Sequence, residues 1–185
     1  MRKVIYSFSV SLDGFIAGPK GELDWSVPDE ELHQFHNDQV RELGTHLLGR
    51  RLYETMTYWE TAEQQPSIEN VELEFAGLWK QLPKIVFSTT LESVVGNTTL
   101  LRGGVVEEVT KLKQQPGGDI GVGGAGLAAA LIAENLVDEY RLFLSPVLLG
   151  AGTRCFPALD TRIGLQLAER REFSSRVVYL RYARA

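Results

Sequence analysis

The stretch Asp119-Ile120-Gly121-Val122-Gly123-Gly124-Ala125-Gly126, followed by Leu127-Ala128-Ala129-Ala130-Leu131-Ile132-Ala133-Glu134-Asn135, decides the fold class. Its first half reads as a strand, Asp119 to Gly123. Its second half is Ala- and Leu-rich and reads as a helix over 127–135. A glycine turn joins them. A strand that passes through such a turn into a helix is the unit of an α/β protein.

The same alternation runs outward in both directions. Upstream, Val4 to Ser11 is β-branched and aromatic and predicts a strand. Gly14 to Gly21 is a Gly/Pro loop. Pro28-Asp29-Glu30-Glu31 opens a helix to about Leu43, since proline suits a first turn and acids suit its positive end. Gly44 breaks it. Thr45 to Leu48 is a short strand, and Gly49-Arg50-Arg51 turns into a helix ending near Thr57. Thr61 to Asn70 is a polar loop and 71–81 a helix. Strands follow at 84–88 and 98–101, then a helix at 104–114. Downstream, 139–147 is a strand, and 164–172 with 176–182 form a hairpin turning at Ser174-Ser175. Alternating strands and helices with an all-strand end predict a mixed sheet, parallel at its centre and antiparallel at one edge. No linker or repeat interrupts the chain, so residues 1–185 are expected to form a single domain.

The chain has 185 residues, 44% hydrophobic and 23% charged, an ordinary globular balance that can bury a core. The net charge of −5 argues against a general nucleic-acid binder. One cysteine, Cys155, permits no internal disulfide and reads as a small buried residue in a reducing compartment. His33 and His36 lie three apart on a helix and read as its polar face. Met1-Arg2-Lys3 precedes only a short, polar-interrupted run, so no targeting segment is expected. No run approaches the roughly 18 apolar residues of a membrane span. The expected location is the cytoplasm, with no membrane partner.

Gly121 to Gly126 fits the pattern G-x-G-x-x-G. Glycine lets a backbone approach phosphate, and a helix start offers free N–H groups. A tight strand-to-helix turn would need the same residues. A Rossmann unit adds an acid about 20 residues on, at the end of the next strand. Asp138 and Glu139 stand before that strand instead, and the loop falls late in the chain, so a Rossmann-type dehydrogenase is disfavoured.

Several segments together resemble the dihydrofolate-reductase-like superfamily, and most closely stand-alone relatives of the C-terminal reductase domain of riboflavin-biosynthesis deaminase-reductases. They are Ser11 to Gly18, Gly21-Glu22-Leu23-Asp24-Trp25, Leu48 to Glu54, Ile85 to Leu91, Val122 to Leu127, Leu136 to Glu139, and Pro146 to Gly152. The resemblance spans nearly the whole chain. It implies a three-layer α/β/α fold, a mostly parallel sheet ending in an antiparallel hairpin, NADPH as cofactor, a small-molecule substrate and a homodimer. Val177, Tyr179 and neighbouring tail residues are candidates for pairing edge strands in that dimer.

The resemblance also implies roles. Gly49, Arg50 and Arg51 would seat cofactor phosphates, the arginines favouring a 2′-phosphate because a planar fork pairs with phosphate oxygens. Ser88, Thr89 and Thr90 would donate hydroxyls on the adenosine side. Val122, Gly123, Gly124, Ala125, Gly126 and Leu127 would cradle the pyrophosphate, and Ile16 and Ala17 would pass near the nicotinamide. Trp25 would face the substrate ring, with Tyr53, Tyr58 and Trp59 as further aromatic wall candidates. Glu30 or Glu31 would support its protonation; both acids equally suit the helix dipole.

The substrate stays open. The His-x-Glu and Pro-Cys-x-x-Cys pattern of a zinc deaminase is absent, which excludes deamination. The Asp-Pro-rich segment that meets the phosphorylated sugar in riboflavin reductases is not found. Lys84 precedes the strand at 85–88 where folate enzymes use an arginine for the glutamate tail. The expected activity is hydride transfer from NADPH to a pterin-, folate- or 5-amino-6-(5-phosphoribosylamino)uracil-like ring. The alternative is an NADP(H)-binding sensor of the same fold without efficient catalysis.

Overall fold

The computed structural model describes residues 1–185. In chain order it contains β1 (Val4–Ser11), β2 (Phe15–Ala17), α1 (Glu30–Arg41), β3 (Leu43–Gly49), α2 (Arg50–Met56), α3 (Asn70–Gln81), β4 (Lys84–Phe87), β5 (Thr98–Leu101) and α4 (Val105–Gln114). These are followed by β6 (Asp119–Gly123), α5 (Ala125–Ala133), β7 (Glu139–Ser145), β8 (Thr153–Arg154), β9 (Leu165–Glu172) and β10 (Val178–Arg184). An eight-stranded sheet runs β5-β4-β3-β6-β1-β7-β10-β9. The strands from β5 to β7 pair in parallel. β10 is antiparallel to both β7 and β9. The expected mixed sheet with a terminal hairpin is what the chain builds, and its order is not the 3-2-1-4-5-6 of a Rossmann fold.

Strand alternation gives the sheet two different faces. On one, Val4 and Tyr6 of β1, Leu47 of β3, and Ile120 and Val122 of β6 pack against Val109 and Leu112 of α4 and Ala128, Leu131 and Ile132 of α5. On the other, the apolar contacts form two separate clusters. Leu32 of α1 packs with Phe143, Phe173, Val177 and Tyr179. Tyr53, Phe75 and Trp79 pack with Leu48 and Val86. Between them the central strands present Ser7, Ser9 and Gly121, and the space there is left as a cavity.

Local chemistry sets the element ends. Asp29 caps α1 by accepting from Leu32 N at 2.9 Å, so the helix starts at Glu30 and Pro28 stays outside it. Glu69 and Glu72 form a reciprocal capping box on α3. Gly44 lies inside β3 rather than breaking a helix. A Cβ there would sit 2.8 Å from Gly118 N, so the two backbones need the absence of a side chain. The segment expected as a loop from Gly14 to Gly21 contains β2, which pairs with β8. Pairs this short carry no readable alternation.

Tyr179 lies in β10, which is already paired with β7 on one side and β9 on the other, and the Val177 and Tyr179 side chains are buried against Leu32 and Phe143, so the free edge on this side of the sheet is β9. Its Leu165 and Leu167 are exposed.

Gly44→Ala should destabilise the protein by about 1–3 kcal/mol, because neighbouring backbone cannot yield. Gly77 in α3 has nothing within 4 Å of an added Cβ, so Gly77→Ala should stabilise by about 0.5–1 kcal/mol. Urea unfolding of both variants tests this pair of opposite signs.

Candidate active site

The cavity between the sheet and α1/α3 has a volume of about 480 Å³, within the range of small-molecule pockets. Its sheet side carries Ile5, Ser7 and Ser9 from β1, His46 from β3, and Arg141 and Phe143 from β7. Its helical side carries His33, His36 and Val40 from α1 and Phe75 from α3, with Trp59 from the 3-10 turn Thr57–Glu60. The Trp59 and Phe75 rings meet edge to face at 4.6 Å, and His36 lies 4.2 Å from Phe143. His33 and His36 therefore face inward, not outward as the polar stripe expected from the sequence. Their spacing follows the inward side of α1 that also holds Val40.

The histidines there are neutral. Burial lowers the pKa of His36 to about 4, and His33 adds to the effect. Burial does the same to His46, also to about 4, with Lys84 contributing. Lys84 is itself buried, donating to the carbonyls of Trp79 at 2.5 Å and Leu82 at 3.1 Å and lying over the Trp79 ring. It is thus not free to meet a substrate tail. Arg141 donates to Glu139 at 2.6 Å, and Glu42 lies 3.5 Å from its other arm.

An adjoining cleft of about 310 Å³ shares Val27, Pro28, His33 and Glu72 with the cavity. Glu30 and Tyr58 line this cleft and not the cavity itself. Glu31 is turned away, accepting from Arg171 and Ser174. Trp25 lines neither space; its indole N–H donates to Glu22 O at 3.1 Å within its own turn. Tyr53 is buried, its hydroxyl accepting from Val95 N.

A third cleft, about 390 Å³, lies at the C-terminal ends of β3, β4 and β5, where ligands gather in open α/β sheets. Arg50, Ser88, Thr89 and Thr90 line it together with Arg102. Arg51 is exposed and does not. The Ser88 hydroxyl accepts from Leu91 N at 3.0 Å and Thr90 N at 3.2 Å, closing its own turn, while Thr89 and Thr90 are exposed. Arg102 was missed in the sequence. It follows β5 as Ser88 follows β4, and that shared position is the signal that could have found it. Its guanidinium donates to Ser88 O at 3.3 Å and to Leu91 O.

The glycine loop divides. Only Gly124 takes a positive φ, +104°, and a Cβ there would lie 3.7 Å from Gly49 N, so the start of α5 meets the end of β3. Gly121 and Gly123 are crowded instead by side chains: a Cβ would come within 2.8 Å of Leu43 and 2.4 Å of Leu52 respectively. Gly126 is open, Ala125 begins α5, and the Val122 and Leu127 side chains pack into the α4/α5 core. Ile16 and Ala17 lie in β2, with Ala17 O so close to Gly152 that no side chain fits there.

The RibD C-terminal domain family matches residues 2–179 of the chain. The uncharacterized protein YyaP of Bacillus subtilis (strain 168) is 36% identical over 185 residues, covering 98% of this chain and 94% of that protein. A Shewanella sp. PV-4 protein assigned to riboflavin biosynthesis has a similar structure, with TM-score 0.75 at 20% identity over 100% of this chain and 99% of that one. Dihydrofolate reductase from Enterococcus faecalis, solved with NADP(H) and RAB-propyl, gives a TM-score of 0.66 at 18% identity over 98% and 96%. The two structures share the fold with this chain. No helix here is long and apolar enough to cross a membrane.

The neutral histidines have a thermodynamic consequence. His36 and His46 titrate near 4 in the folded state and near 6.5 when unfolded. Below about 6.5 the unfolded chain binds more protons, so stability falls as pH drops from there toward 4. Glu31 and Asp13, held down to about 2, give way only at lower pH. Urea midpoints should therefore decline between pH 6.5 and 4.5, and His36→Phe should flatten that decline. An equally steep decline in the variant would exclude His36 as a source.

Proposed function

The chain belongs to the RibD C-terminal domain family, and we propose that it is an NADPH-dependent reductase of a small heteroaromatic substrate of the pterin, folate or 5-amino-6-(5-phosphoribosylamino)uracil type. One observation carries the reading. A two-arginine cleft at the C-terminal ends of β3, β4 and β5, the turned Gly124 that follows β6, and an aromatic-walled cavity over β1, β3, β6 and β7 lie along one run of neighbouring parallel strands.

The residues fit such a cofactor. Arg50 and Arg102 offer permanently charged forks to a 2′-phosphate, with Thr89 and Thr90 beside them. The first turn of α5 offers N–H groups to a pyrophosphate, and Gly124 lets that backbone come close. The fold neighbour from Enterococcus faecalis was solved with NADP(H), which supports the same ligand here. When bound, the dinucleotide supplies a hydride to an unsaturated carbon of the substrate, and the atom bonded to that carbon takes up a proton.

The protein's own groups do the rest. Trp59, Phe75 and Phe143 hold a flat ring and exclude water. Glu30, in the adjoining cleft, stands where it could pass a proton in from solvent. The buried, engaged Lys84 offers nothing to a glutamate tail, which weighs against long folates. We place the protein in the cytoplasm and, from its family, as a homodimer; β9 is one of the two free edges of the sheet, β5 the other.

Arg50→Ala and Arg102→Ala should each weaken NADPH binding about tenfold, about 1.4 kcal/mol, with NADH affected far less. Fluorescence titration reads both. Equal losses for the two nucleotides would remove the 2′-phosphate from this cleft. NADPH oxidation against pterins, dihydrofolate and aminouracils tests turnover. Glu30→Gln should lower kcat and leave NADPH affinity intact; unchanged kcat would remove Glu30 from the reaction. Tight NADPH binding without oxidation of any substrate would favour the sensor reading.

A further inference from the structure

The cavity and the adjoining cleft share Val27, Pro28, His33 and Glu72. Of these only His33 and Glu72 can hold a proton. The other titratable groups of the cavity, His36, His46 and Arg141, do not line the cleft. Those of the cleft, Asp29, Glu30, Tyr58 and Glu69, do not line the cavity. A proton passed between the two spaces by side chains therefore goes by way of His33 or Glu72.

The two are not equivalent. Glu72 is tied into the α3 cap, where it accepts from Glu69 N at 2.9 Å. His33 is half-buried on α1, its ring beside Trp59 and Phe75 at centroid distances of 5.9 Å and 5.7 Å. Trp59 and Phe75 line the cavity alone, so His33 stands where the aromatic wall meets the cleft.

Its surroundings suit a carrier. Burial lowers the pKa of His33, and Glu72 opposes this most strongly, followed by Glu69 and Glu74, all from α3. On α1, burial drives His36 to about 4, and Glu30 lies one turn before His33 in the cleft. Across the cavity stand His46, also held near 4 by burial, and Arg141, which donates to Glu139. His33 is neutral at rest like the other two histidines, but it alone has carboxylates on its cleft side to draw a proton in. A proton held weakly there is readily given up to a ring nitrogen.

We propose that His33 is the proton carrier of the reaction, passing a proton from the carboxylate-lined cleft to the substrate ring in the cavity. This rests on the reductase reading and goes further in naming the group that completes it. As hydride from NADPH reaches the carbon of a C=N bond, the π electron pair moves to nitrogen, and that nitrogen takes the proton from the His33 imidazolium. The substrate is reduced by one hydride and one proton, and the dinucleotide is oxidised. The imidazole, neutral again, is reprotonated from the cleft.

The test joins a measurement without turnover to one with it. In the cofactor-free protein the ¹⁵N resonances of His33 are titrated with pH. Glu72→Gln keeps the α3 cap through its amide oxygen and removes the charge, so the His33 midpoint should fall. In parallel, NADPH oxidation is followed with whichever pterin, dihydrofolate or aminouracil the wild type reduces. Its kcat should rise as pH drops from about 8 to about 6, because the carrier acts when protonated. Glu72→Gln should displace that profile to lower pH by the same amount as the resonance. His33→Phe keeps an aromatic ring beside Trp59 and Phe75. It should lower kcat about a hundredfold and lose the pH dependence, with KM and NADPH affinity within about twofold of wild type. Two results would overturn the proposal: kcat within about twofold of wild type in a folded His33→Phe, or a pH profile in Glu72→Gln that does not follow the His33 resonance. If His33→Phe does not fold, the Glu72→Gln comparison decides. A wild type that oxidises NADPH against none of these rings would instead remove the reductase reading, and this proposal with it, whatever the resonance does.

Discussion

The structure depends on a shortage of side-chain volume at the centre of one sheet face. β1 presents Ser7 and Ser9 there, and β6 presents Gly121. Helices α1 and α3 are held off by contacts at either side, Leu32 on Phe143 and Phe75 beside Leu48 and Val86. A continuous core would need large residues in the middle, since interiors pack near crystal density. Small ones in the middle and large ones at both flanks leave a recess that the flanks keep open. The opposite face has no such gap: Val4, Tyr6, Ile120 and Val122 meet α4 and α5 directly. One pair of strands thus carries a packed face and an open one. The pleat alone separates stability from binding.

The same division orders the charges. At the C-terminal sheet edge Arg50 is exposed beside Thr89 and Thr90, free to meet an anion. Inside, the cations are already engaged. Lys84 is held by two carbonyls and Arg141 by Glu139. Buried charges persist only when paired in this way, because desolvation otherwise drives them neutral. The histidines take that second course and become neutral donors and acceptors inside the cavity.

Most of the frame was legible in the sequence because it rests on periodicity and glycine punctuation. The β6–α5 stretch, the parallel centre and the terminal hairpin all follow from such local signals. The short β2 and β8 did not, since a strand of two or three residues has no period. The two-arginine cleft was partly legible. Arg50 and Ser88 stand at strand ends beside recognisable turns, whereas Arg102 sits in an undistinguished Leu101-Arg102-Gly103 and is found only once β5 is seen beside β4. The pocket was least legible. Its residues come one or two from each of several elements, and whether His36 or Arg141 faces inward depends on how α1 lies over the sheet.

The glycine pattern shows how one motif can join residues that serve different ends. Gly121-Val122-Gly123-Gly124-Ala125-Gly126 looks like one device for approaching a phosphate. In the fold only Gly124 has the turned backbone that such an approach uses. Gly121 makes room for Leu43 and His46, Gly123 for Leu52 and His46, and Gly126 faces open space. The pattern therefore joins two requirements that happen to share a strand: a backbone turn at its end, and a bare surface along its cavity face. The first serves a helix start and is readable from spacing. The second serves a histidine 75 residues earlier in the chain (His46 against Gly121), and no local spacing could express it. A glycine after a strand can be read from its neighbours, but a glycine within one is explained only by what lies across it.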